Sequence, residues 1–192
     1  MSNKFHDKYR IATSRLQNWD YSDNGYYFVT ICTKERKHYF GEIINNEMNL
    51  SEIGKITQKY WFEIPSYFPF VELDEFVVMP NHIHGIVIIN DRCNSVRRDV
   101  INHVSTDDVN KNIFSKKSPM KKHSLGEIIR WYKGRTTFEI RKQQINFFWQ
   151  PRFYDHIIRN EYNLNRIRQY IRDNTINWNV DRNNLNSTVD WV

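Results

Sequence analysis

Residues 70–89 read FVELDEFVVMPNHIHGIVII, and this stretch decides the fold. Residues 70–78 and 83–89 are rich in Val, Ile and Phe, which suits two extended strands. Met79-Pro80-Asn81 joins them, so the pair reads as neighbouring strands of a sheet. His82-Ile83-His84 opens the second strand. Side chains alternate along a strand, so both imidazoles share one face and Ile83 takes the other. Two neutral imidazoles at i and i+2 can chelate one divalent metal ion, although such a pair also arises by chance. The imidazole face continues through Ile86 and Ile88, so something must cover it.

Working outward, residues 26–33 (YYFVTICT) predict a further strand, and 39–50 place Asn45-Asn46 between two semi-apolar runs, as in a hairpin. From Ser51, Ile53, Ile56, Tyr60 and Ile64 recur at helical spacing, and Pro65 marks the end. Residues 91–123 lack periodicity and are expected to be a long polar loop. Ser124-Leu125-Gly126-Glu127 has capping-box form. The helix it opens carries Leu125, Ile128, Ile129, Tyr132 and Ile140 on one stripe, with Arg130, Lys133 and Arg141 roughly opposite. Residues 147–158 predict a further strand, with Pro151 implying an edge position or a bulge. Residues 161–178 predict a last helix with Leu164, Ile167, Ile171 and Trp178 inward. Tyr170 and Asn174, four apart, share the margin of that stripe. There a hydroxyl can reach a cleft and an amide oxygen can face a metal, or the tyrosine simply packs at the core edge. The β-α-β-β-α-β order predicts an α+β, ferredoxin-like (split βαβ) antiparallel sheet with packed helices. One domain is expected over 1–192, with an N-terminal extension at 1–25 and a tail at 179–192.

Composition narrows the function classes. The chain has 192 residues and a formal charge of +6, from 28 Lys+Arg against 22 Asp+Glu. No apolar run approaches a membrane span and no secretory h-region is visible, so a cytoplasmic protein without membrane contact is expected. Cys32 and Cys93 form no zinc framework. Residues 111–152 hold eleven Lys/Arg and two Glu, a local +9, which leaves −3 for the rest. Such a block either meets a polyanion or is the solvated face of ordinary helices.

The blocks DYSDNGYYFVTICT, LDEFVVMPNHIHG, SLGEIIRWYKG, WQPRFYDHIIRNE and YIRDN, in this order and spacing, resemble the REP-associated tyrosine transposases of the single-tyrosine HUH superfamily. The resemblance runs from about residue 10 to residue 178. It implies an HUH-endonuclease fold in which His82 and His84 hold a catalytic Mg²⁺ or Mn²⁺. Tyr170 is then the nucleophile, and Asn174 supplies a third metal ligand. By the same resemblance Arg15 and Asn81 contact DNA, and His156 either contacts DNA, tunes the site or is structural. Arg130, Lys133, Arg141 and Arg152 of the basic block would hold phosphates. The implied partner is single-stranded DNA with hairpin or repeat structure, handled by a monomer or a homodimer. The family's Asn-Pro after the tyrosine is replaced here by Asn174-Thr175, which would let the helix run further. A non-catalytic nucleic-acid module on the same fold, or a phosphodiesterase using water, would need no nucleophilic Tyr170.

Overall fold

The computed structural model describes residues 4–5, 8–9, 16, 19–90, 122–185 and 187. Arg15, nearly all of the expected loop at 91–123, the 111–121 part of the basic block, most of the N-terminal extension and the end of the tail lie outside the described residues. Two short strands, β1 (Lys4–Phe5) and β2 (Lys8–Tyr9), pair with each other. Strand β3 (Gly25–Cys32) is followed by the hairpin β4 (Gly41–Ile44) and β5 (Glu47–Leu50). Its turn residues Asn45 and Asn46 have φ of 52° and 65°, the left-handed pair that a two-residue hairpin turn requires.

Helix α1 (Glu52–Phe62) starts at Ser51, whose hydroxyl accepts from the Gly54 amide. Pro65 does not close this helix. It sits in the first turn of the short α2 (Ile64–Tyr67), where a missing N–H costs nothing. Strands β6 (Val71–Val78) and β7 (His82–Ile89) follow, then α3 (Leu125–Lys142), β8 (Tyr154–Ile158) and α4 (Glu161–Arg172). Ser124 caps α3 by accepting from the Glu127 amide, while the Glu127 carboxylate reaches back to the His123 N–H.

Strands β6, β7, β3 and β8 form one sheet in that order, every neighbouring pair antiparallel. With α1 between β3 and β6, and α3 between β7 and β8, this is the split βαβ arrangement that the sequence pattern predicts. Alternation sorts the side chains. Tyr27, Val29, Ile31, Ile83 and Val87 face α1 and α3 within the large apolar core. Phe28 and Ile86 face the other way, packing with Ile158 and with Leu164 and Ile171 of α4. The imidazole face is therefore covered by α4.

Two further expectations need correction. Residues 147–153 are not strand: Trp149 makes only an isolated bridge to Thr33, and Arg152 is left-handed at φ 66°. That conformation turns the chain before β8 begins, so the predicted strand shrinks to its last five residues. Helix α4 ends at Arg172, although no proline follows Asn174. Asn174 lies in a run of turns, and Trp178 belongs to a separate 3-10 turn at Trp178–Val180. Among the described residues, no helix is long and apolar enough to cross a membrane.

Candidate metal centre

His82 and His84 are buried, and their Nε2 atoms stand 3.0 Å apart. The neighbours fix which nitrogens hold protons. Asn81 donates from Nδ2 to the carbonyls of Arg36 (3.1 Å) and Asn183 (2.8 Å), which turns its Oδ1 toward His82 Nδ1 at 2.8 Å. Nδ1 of His82 is then the protonated nitrogen, and its Nε2 lone pair points into the site. His84 Nδ1 lies 2.8 Å from Thr30 Oγ1, its partner across the β3–β7 register. A hydroxyl rotates to donate or accept, so Thr30 serves either His84 tautomer.

Burial, then the charges of neighbouring His84, Arg36, Arg182 and His38, holds His82 well below the usual imidazole range. Burial, with the Arg182 charge, lowers His84 to about 3. Both rings are therefore neutral at pH 7, the form that binds metal. Asp181, also buried, completes a group whose ligand atoms lie within 4.8 Å of one another. Two imidazoles and one carboxylate are a common donor set for divalent transition metals.

The Tyr170 hydroxyl reaches 3.2 Å from His84 Nε2, with its ring edge-on to Phe28 and His84. Burial raises its pKa, the Asp181 charge raises it further, and a hydrogen bond from Asn174 opposes both. Asn174 itself is 1% exposed, and its Oδ1 has no hydrogen-bond partner among the described residues. It lines a cavity of about 350 Å³ with Tyr170, Asn177, Val180, Asp181 and Arg182. A buried carbonyl oxygen without a donor is costly. Asn174 shares its cavity with Asp181, and its neighbour Tyr170 reaches His84, so an unpaired amide oxygen here is a candidate donor to a bound cation.

The other predicted site residues are scattered. Asn81 is fully buried and spends its amide on His82 and two carbonyls, which leaves it no surface for a DNA contact. Arg130 is exposed on α3. Lys133 donates to the carbonyls of Gln150 (2.7 Å) and Arg152 (2.9 Å). Arg141 bonds the Phe147 carbonyl and lies 4.7 Å over the Phe148 ring. Arg152 is exposed at the left-handed corner, and exposed His156 sits opposite Phe28 on β8. Sequence reading missed Thr30 and Asp181. Thr30 becomes visible only through strand register, and Asp181 falls in a stretch read as a tail, with no periodic or motif signal.

Asn81→Ala is expected to weaken Mn²⁺ binding by about 10- to 100-fold, because His82 loses the partner that fixes its tautomer. It also leaves the Arg36 and Asn183 carbonyls without their donor. A Mn²⁺ titration alongside thermal melts checks both effects.

No family model matches the chain. An uncharacterized protein of Haemophilus influenzae (strain ATCC 51907 / DSM 11121 / KW20 / Rd) is 35% identical over 176 residues, covering 88% of this chain and 89% of that one. Among solved structures, a REP-associated tyrosine transposase bound to a REP hairpin aligns with TM-score 0.55 and 18% identity, over 86% of this chain and 74% of that one. The second match speaks to the fold alone. The first, by its identity and coverage, makes this chain a member of the same family as the Haemophilus influenzae protein.

Proposed function

We propose that the chain is a metal-dependent, single-tyrosine DNA transposase that cuts and rejoins single-stranded DNA of hairpin or repeat form. One observation carries this reading: the Tyr170 hydroxyl stands 3.2 Å from an imidazole nitrogen of a buried two-histidine cluster that could bind metal. The shared fold with a transposase solved on a REP hairpin supports it.

His82 and His84 would hold the ion, Mg²⁺ or Mn²⁺, with Asn174 and Asp181 as the oxygen donors at hand. Such an ion polarises a phosphodiester and stabilises the charge that develops in its displacement. The protein's own part is to place the nucleophile. Tyr170 is held by α4 with its hydroxyl at the cluster, and its oxygen would attack the scissile phosphorus. The 3′-oxygen leaves, and the 5′-phosphate stays on the tyrosine. That ester conserves the bond, so a strand's 3′-OH can later reverse the step without ATP. Burial keeps the free phenol protonated, and Asp181, which lines the same cavity, would take that proton during attack and pass it to the departing 3′-oxygen, which leaves as a 3′-OH. With Asp181 in that role, Asn174 would be the oxygen donor to the ion.

The strand would be held along α3 and the turn before β8. Phe138 and Phe148 are exposed there, and they line a groove of about 650 Å³ with Lys133, Arg141 and Lys142. Exposed rings among cations offer base stacking and phosphate contacts together. Arg130, Arg152 and His156 extend the same proposed footprint.

The test is to incubate the protein with end-labelled hairpin single strands and Mn²⁺, then run denaturing gels. A covalent protein–DNA band is expected from the wild type and none from Tyr170→Phe. Cleavage without a covalent band would mean that water is the nucleophile. Tight binding without cleavage would reduce the protein to a binding module.

A further inference from the structure

Helix α4 is gripped on one side by two ion pairs that come from an irregularity in the sheet. Arg168 Nε lies 3.1 Å from both Asp74 oxygens, and its Nη2 lies 2.6 Å from Asp74 Oδ2. Arg172 Nε lies 2.9 Å from Glu75 Oε1, and its Nη2 bonds the same oxygen. Asp74 and Glu75 are consecutive, so a regular strand would send them to opposite faces. The β6–β7 register slips between Leu73 and Phe76, and this bulge lets both carboxylates reach one helix. The Asp74 side chain, 13% exposed, also accepts from the Glu75 amide, which braces the bulge.

The helix geometry gives these pairs a mechanical role. At about 100° per residue, Leu164, Ile167 and Ile171 form the seam that rests on the sheet. Arg168 and Arg172 lie on one flank of that seam, and Tyr170 lies on the other. The seam is narrow, since this apolar cluster is much the smaller of the two. A narrow seam acts as a fulcrum and leaves the roll of the helix undetermined. Pinning the arginine flank to β6 fixes the roll and therefore where the tyrosine flank stands.

We propose that Asp74 and Glu75, acting through Arg168 and Arg172, are positioning residues that set the Tyr170 hydroxyl against the histidine pair. This rests on Tyr170 being the nucleophile. A misplacement near 1 Å can cost on the order of 100-fold in rate without loss of binding.

The experiment compares wild type, the double variant Asp74→Asn/Glu75→Gln, and the swap Asp74→Arg/Arg168→Asp. Three quantities are read: the rate of covalent band formation with Mn²⁺, affinity for the labelled strand, and amide hydrogen exchange across residues 161–172. The double variant is expected to lose about 10- to 100-fold in rate, keep its strand affinity, and exchange faster in α4 while β3 and β7 stay protected. The swap should recover most of the rate and of the protection. An unchanged rate, a loss that the swap does not repair, or a loss matched by weaker strand binding would overturn the proposal. Should the wild type give no covalent band, the tyrosine reading fails, and exchange alone judges the clamp: unaltered protection of α4 in the double variant overturns it.

Discussion

Mn²⁺ affinity is expected to fall by more than about 100-fold in His84→Ala, since losing a ligand exceeds the effect of losing its support. The reason lies in how the site is built. Both imidazoles are buried and neutral, and both sit on a central strand whose backbone is paired on each side. The same variant carries a pH signature in metal-free protein. In the unfolded chain an imidazole takes up its proton near pH 6.5, whereas folded His84 resists protonation down to about 3. Between those values the unfolded state binds more protons, so wild-type stability falls as the pH is lowered through that window. His82, also held well below its usual range, adds to the loss. In His84→Ala one of the two contributions disappears, and the urea midpoint should drop less between pH 7 and pH 5. A midpoint as acid-sensitive as that of the wild type would show that burial of this ring is not the cause. Titration of Asp181→Ala and Asn174→Ala with Mn²⁺ then separates the two candidate oxygen donors.

Gly85→Ala is expected to destabilise the protein by about 3 kcal/mol, at the upper end of overpacking costs. A Cβ on Gly85 would lie 2.3 Å from Cζ2 and 2.8 Å from Cη2 of Trp61. The tryptophan cannot give way. It is fully buried, stacked on Phe76 at 4.7 Å and held edge-on by Tyr132 at 5.4 Å. Nor can β7 retreat, because it is paired to β3 and β6 on its two sides. For a chain of this size the melting temperature should drop by roughly 6–12 °C. The strain falls next to His84, so metal affinity should drop with stability. Gly134→Ala is the matched control. Among the described residues, nothing beyond its own helix backbone lies within 4 Å of its Cβ, and the site is mid-helix, so alanine there should stabilise by about 0.5–1 kcal/mol. Thermal melts of the two variants check the contrast.

Local chemistry made much of the fold legible. Asn45-Asn46 has one good use between two short strands, because few residues accept positive φ at successive positions. Ser124 and Glu127 marked a helix start, and the stripe Leu125, Ile128, Ile129, Tyr132 and Ile140 is buried as its spacing predicts. The failures came where a single backbone torsion outweighed composition. FFWQPRF has strand composition, yet the turn at Arg152 keeps it out of the sheet. Helix α4 stops short of its expected end for a related reason: a missing proline permits a longer helix but does not compel one.

At the candidate site the division follows from the range of the forces involved. His82-x-His84 on one face of a strand, and Tyr170 at the edge of a helical stripe, follow from periodicities of two and 3.6. Periodicity is a property of the chain itself, so the sequence alone determined those faces, and with them the antiparallel sheet and the helices that cover it. Which faces meet is a matter of contact between segments far apart. Only the tertiary structure brought Tyr170 to His84 across 86 positions, Thr30 to the same ring through strand register, and Asp181 to the histidine pair from a stretch with no pattern. The bulge that aims Asp74 and Glu75 at α4 belongs with these, since a slip in register arises between two strands and is encoded in neither one.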